Sequence, residues 1–224
     1  MSTVERSTLH VEGTDDVHVI KHLLLRHGID CPLEKDPRQG RKLAPHAPEI
    51  RSPRNGRNGI LESIDTAVRF SNNRSVGFVL DADAEPQDRW HAVCGKLKKF
   101  GLDLPAQIPP GGFVHDVAEF RARVGVWLMP DNQREGALEQ FLADLVKDND
   151  ALLPVAERAT ATAAESGAEF PAVDRQKAVL HTWLAWQKKP GLPYGTAICA
   201  EYFRDDSPSA LAFVDWYKRV FQET

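Results

Sequence analysis

The chain has 224 residues, 42% hydrophobic and 27% charged, with a formal net charge of −4. These proportions exclude a wholly disordered, collagenous or fibrous chain, and the overall charge gives no general pull toward nucleic acid. The longest apolar runs, Val76–Leu80 and Val124–Met129, fall far short of the ~20 residues that span a bilayer. The N-terminus lacks the apolar core of a signal peptide. Three widely spaced cysteines, Cys31, Cys94 and Cys199, have no CxxC spacing. They predict reduced thiols in a cytoplasmic protein without a membrane partner.

In chain order, Thr8–Val11 reads as a short strand. Asp15-Asp16 then opens a helix with Val17, Ile20, Leu23 and Leu24 on one face, closed by Gly28. Residues 36–59 lack periodicity and read as a loop. A second helix is expected over Gly59–Phe70. Ser75–Leu80 is a continuous apolar strand of the kind buried on both faces of a parallel sheet. A helix over Pro86–Phe100 follows, with Trp90, Val93 and Leu97 spaced for burial. Residues 105–116 are rich in Pro and Gly and read as turns. Val124–Met129 is a second buried strand, and Glu135–Val146 the helix after it. Strands alternating with helices specify an α/β sheet with right-handed crossovers.

Beyond about residue 150 the strand pattern stops. Helices are expected over Ala151–Gly167, Pro171–Lys188 and Ser207–Phe221. Half of the aromatic side chains fall in 181–224. They need burial, either against the sheet as a helical layer or in an oligomer or partner surface. The expected organisation is an α/β domain over 1–148 and a helical extension over 149–224 packed on it.

Charge is uneven. Residues 34–59 hold seven basic residues, including Arg51, Arg54 and Arg57, against three acidic ones. That surplus suits either a solvated loop or an arm that contacts phosphates. His18 and His22 lie four apart on the first helix. Val19 stands where a metalloprotease motif needs Glu, so they read as helix surface.

Acidic residues gather at strand ends. Glu12 follows the first strand, Asp81 and Asp83 end Val76–Leu80, and Asp131 follows Val124–Met129. In open parallel sheets, ligands bind beyond the carboxyl ends of strands. Asp81 and Asp83 are two apart, so in extended geometry they point the same way. Carboxylates aimed at one spot repel unless a proton or cation intervenes, and Mg²⁺ is the hard, oxygen-seeking ion that suits them.

The pairing of Glu12-Gly13 at a strand–helix turn with Asp81-Ala82-Asp83 after a later strand resembles the Toprim domain. That family includes topoisomerases, bacterial-type primases and overcoming-lysogenisation-defect nucleases. The resemblance covers about residues 5–146. It implies a Toprim-like, mostly parallel sheet flanked by helices, with a helical C-terminal layer. It also implies Mg²⁺ (or Mn²⁺) held by Glu12, Asp16, Asp81, Asp83 and Glu139, with Glu12 as ligand or general acid/base. Asp15 is either a further ligand or a helix cap, Asp131 lies where a second-metal ligand could arise, and Glu139 is alternatively a surface residue. The implied activity is phosphodiester hydrolysis on DNA or RNA. By the same resemblance a separately encoded ATPase is the expected partner, and a homo-oligomer is compatible. No Tyr is placed as a topoisomerase nucleophile, and no Ser-Gly or Lys-bearing motif follows Val124–Met129. The rival reading is a non-catalytic nucleic-acid or protein binding module.

Overall fold

Val76, Phe78 and Leu80 are apolar and alternate with Gly77 and Val79, so a strand through them must bury both faces. In the computed structural model they form β3 (Val76–Asp81), the middle strand of a five-stranded sheet of order β2-β1-β3-β5-β4. The structure describes residues 6–33, 47–53 and 56–222, the side chains of 56–58 excepted. β2 (Glu49–Arg51), β1 (Thr8–Val11), β3 and β5 (Ala122–Met129) run parallel to one another; β4 (Phe113–Val117) pairs antiparallel with β5 at one edge. The architecture is therefore α/β, with a mostly parallel sheet flanked by helices and a helical C-terminal layer. Residues 105–116, expected to turn throughout, do so only as far as Gly112, after which β4 begins at Phe113.

The helices are α1 (Thr14–Arg26), α2 (Gly56–Arg69), α3 (Pro86–Leu97), α4 (Leu138–Asp144), α5 (Leu153–Glu165), α6 (Arg175–Ala185), α7 (Tyr194–Cys199) and α8 (Pro208–Phe221). The strands sort their side chains with period two. Val76, Phe78, Leu80, Val124, Val126 and Leu128 pack with α2 and α3. On the other face, Leu9, Val11, Val79, Trp127 and Met129 pack with α1, α4, α6, α7 and α8. Most aromatic residues of the C-terminal third are buried within the chain: Trp183, Phe203, Phe213, Trp216 and Tyr217 are each at most 1% exposed, whereas Trp186 remains 42% exposed.

Two glycines bring α8 close. Gly77 and Gly125 are register partners on β3 and β5. A Cβ on Gly77 would lie 2.9 Å from Phe221 Cζ, and one on Gly125 2.3 Å from Val220 Cγ2. The paired glycines thus form a groove in the sheet, filled by the Val220–Phe221 end of α8. Gly195 does the same for α7 on α1, where a Cβ would meet His22 Nδ1 at 2.7 Å and His18 O at 2.8 Å. Of His18 and His22, both expected as helix surface, His18 is exposed as expected, whereas His22 is partly buried with its Nδ1 enclosed against α7; their rings lie 6.2 Å apart between centroids.

Candidate metal centre

The chain leaving β1 forms α1 on one face of the sheet, and the chain leaving β3 forms α3 on the other. Neighbouring parallel strands whose connections diverge in this way leave a crevice at their carboxyl ends. Glu12 and Asp81 stand at that switch point. The crevice has a volume of about 460 Å³ and brings together Glu12, Asp15, Asp16, Asp81, Asp83 and Glu139. Its far wall carries Val173, Asp174 and Lys177 from the start of α6 and the turn before it.

Backbone groups set the carboxylates in place. Glu12 Oε1 accepts from the Asp81 N–H at 3.1 Å, and the Glu12 carbonyl accepts from Ser52 Oγ at 3.1 Å. Asp81 Oδ1 accepts from the N–H of Leu138, the first residue of α4, at 3.1 Å. Asp16 sits at the third helical position of α1, and its Oδ2 reaches back to the Gly13 N–H at 3.1 Å. Gly13 holds the cap position ahead of α1, so Asp15, a candidate cap in the sequence, does not serve as one. Asp15 is exposed at the crevice.

Asp16 is only 7% exposed, and its Oδ1 is buried without a hydrogen-bond partner. Burial first, then the charges of Glu12 and Glu139, push its carboxyl well above the ordinary range. Asp81 is pushed up further still. Burial leads, followed by Asp16, Glu12, Glu139 and Asp83. Several carboxylates thus compete to be ionised in one poorly solvated place. Lys177 Nζ, 3.9 Å from Glu139 Oε1, offers partial compensation.

Asp83 behaves differently. β3 ends at Asp81, and Asp83 has a left-handed backbone (φ 55°), paired through both backbone groups with Gly136. The extended geometry expected to aim Asp81 and Asp83 alike therefore breaks at this residue. Asp83 Oδ2 is hydrogen-bonded to Arg89 Nη2, and Arg89 Nε donates to the Asp81 carbonyl at 2.8 Å. Arg89 is itself buried, in the first turn of α3. Asp131 lies outside the crevice; it caps the turn at Gln133 and Arg134 and pairs with Arg134, which holds its carboxyl below the usual range despite partial burial.

As donors, the oxygens of Glu12, Asp16, Asp81 and Glu139 suit a hard divalent cation, and the orphaned Asp16 Oδ1 is the atom such an ion would satisfy. Among the described residues, however, no three His, Cys, Asp or Glu side chains are already gathered closely enough to hold a metal ion. Of the proposed phosphate-contacting arginines, Arg51 is exposed and pairs with Glu49 at 2.8 Å, away from the crevice. Arg54 and the Arg57 side chain lie outside the described residues. Arg89 and Lys177 were not legible as site residues; only Arg89 had a local signal, a cation in the first turn after Asp-x-Asp.

Fold and crevice together define an α/β protein with an acidic cleft at the switch point of its sheet. The chain belongs to the family described as protein of unknown function (DUF3226), whose profile matches residues 6–222. No curated protein and no solved structure is significantly similar to it.

Proposed function

We propose that the chain is a Mg²⁺- or Mn²⁺-dependent nucleic-acid phosphodiesterase of Toprim type. One observation supports this reading most. Asp16 and Asp81 are buried and repelled by neighbouring carboxylates, and Asp16 carries an unsatisfied oxygen. A scaffold gains nothing from that cost. In this reading Glu12, Asp16, Asp81 and Glu139 supply the oxygen donors. The Asp81 N–H fixes Glu12, the Leu138 N–H fixes Asp81, and Lys177 offsets part of the charge at Glu139. A bound divalent ion would stabilise charge on the attacked phosphodiester and lower the pKa of the attacking water. In this reading Glu12 serves either as a ligand or as the base that takes a proton from that water. Asp83 serves the loop, through Arg89, rather than the ion. The substrate is DNA or RNA, and a separately encoded ATPase remains the partner that the Toprim resemblance suggests.

A non-catalytic binding module is the second reading. It is favoured by the absence, among the described residues, of a ready-made ligand cluster. The test is incubation of the protein with Mg²⁺ or Mn²⁺ and plasmid DNA, single-stranded DNA or tRNA, with and without a neighbouring ATPase. Cleavage abolished by Asp81→Asn and Glu12→Gln supports the enzyme. Binding without cleavage in every condition, unchanged by those substitutions, supports the module.

A further inference from the structure

A second concavity, of about 330 Å³, opens between α2 and the edge formed by β1 and β2. It shares no lining residue with the acidic crevice. Its walls carry three arginines from three parts of the chain: Arg6 before β1, Arg51 at the end of β2, and Arg74 before β3. No acidic residue lines it among the described residues.

These cations are not equivalent. Arg74 donates to the carbonyls of Ser71 and Phe70 and so serves the end of α2. Arg51 gives its Nε to Glu49 and keeps its side chain 45% exposed. The Ser63 and Ser71 hydroxyls donate to the carbonyls of Ile60 and Val68. Attraction for a ligand therefore comes from the guanidinium groups, with the exposed Thr66 hydroxyl beside them. His10 forms the floor, its Nε2 3.1 Å from Thr8 Oγ1 and its ring against Phe78. Burial, and then the Arg51 charge, pull its pKa down to about 4. His10 thus stays neutral, and the field of Arg51 reaches the floor of the pocket. At the rim stands Phe70, 69% exposed.

Guanidinium groups gathered around one concavity without a lining acid favour phosphate oxygens, often bidentately. An exposed ring beside them offers a face on which a base can stack. We infer that this pocket binds a nucleotide unit, with its phosphate between Arg6 and Arg51 and its base against Phe70.

The inference does not rest on the acidic crevice being catalytic, and EDTA separates the two. Full-length protein in EDTA, at low fixed salt, is titrated with inorganic phosphate, deoxythymidine monophosphate and a fluorescent single-stranded oligothymidylate. The variants are Arg51→Gln, Thr66→Glu and Phe70→Ala, all at exposed positions that leave the core intact. Circular dichroism checks their folding. All three probes are expected to bind. Arg51→Gln and Thr66→Glu should weaken each tenfold or more. Phe70→Ala should weaken the nucleotide and the oligomer severalfold and leave inorganic phosphate unchanged. Preference for the oligomer over the mononucleotide identifies a nucleic-acid strand as the source of the unit; equal binding identifies the free nucleotide. No binding of any probe, or binding indifferent to Thr66→Glu, overturns the inference. Indifference of the nucleotide to Phe70→Ala overturns its base-stacking half. Loss of cleavage in Asp81→Asn with pocket binding intact would leave this inference standing whatever the crevice does.

Discussion

Replacing Asp81 by Asn should make the metal-free protein more stable, although it alters the residue at the centre of the proposed site. An amide keeps the acceptor that takes the Leu138 N–H and removes the charge that burial, Asp16, Glu12, Glu139 and Asp83 all oppose. The magnitude follows from proton linkage. A carboxyl whose folded pKa is raised keeps its proton over a range where the unfolded chain has already released it. Stability therefore falls as pH rises above the unfolded value of about 4, at about 1.4 kcal/mol per unit, until the folded group also ionises. About three units separate pH 4 from neutrality, so the ceiling is about 4 kcal/mol. Rearrangement within the acidic cluster reduces that to roughly 2 kcal/mol near pH 7. Urea unfolding in EDTA measures it. Asp81→Asn should exceed the parent by roughly 2 kcal/mol near neutrality, and the gap should close toward about pH 4. Added Mg²⁺ should raise the parent's stability and leave the variant's unchanged. A variant less stable than the parent near neutrality, or a gap independent of pH, would refute the account of Asp81 as a charge held against repulsion.

Other outcomes follow from the same geometry. Binding of Mn²⁺ should release protons, because an ion displaces them from Asp16 and Asp81, whose folded pKa values are raised. Affinity should therefore fall on acidification through those raised values. Calorimetry in buffers of different ionisation enthalpy reads the release, and a proton count of zero would contradict it. Gly125→Ala should cost about 1–3 kcal/mol through overpacking against Val220. Adding Val220→Ala should recover part of that loss in thermal melts, whereas purely additive destabilisation would place the strain elsewhere. Arg89→Met should cost about 1–2 kcal/mol by leaving the Asp81 carbonyl and Asp83 without their buried donor. The pairing is misjudged if denaturant midpoints do not move.

What could be read from the chain, and what could not, has physical reasons. β3 and β5 were legible because strands buried on both faces are continuous apolar runs. β2 is three residues long with a single buried apolar residue, Ile50. It sits in an Arg- and Pro-rich stretch and shows no periodicity. β4 begins directly after Pro109–Gly112, and the strength of those turn signals hid it. The six residues of α7 are too few to display a helical repeat. In the crevice, Glu12 and Asp81 were legible because parallel-sheet topology brings strand ends together, whereas Asp16 and Glu139 were reached only through the Toprim resemblance. The direction of Asp83 was not, because a single left-handed residue overrides the two-residue rule. Arg89 becomes visible only once α3 is folded back beneath its own preceding loop.

The glycine pair beneath α8 bears on how the molecule can be cut. Val220 and Phe221, two of the last residues described, lie directly on the central strands. A truncation at residue 148 would remove the cover from Trp127 and Val79 and leave an open furrow across the middle of the sheet. The acidic cleft draws one wall from the same distal segment, through Val173, Asp174 and Lys177. The last third of the polypeptide is thus a keystone, and a shortened version would lose the site together with its support.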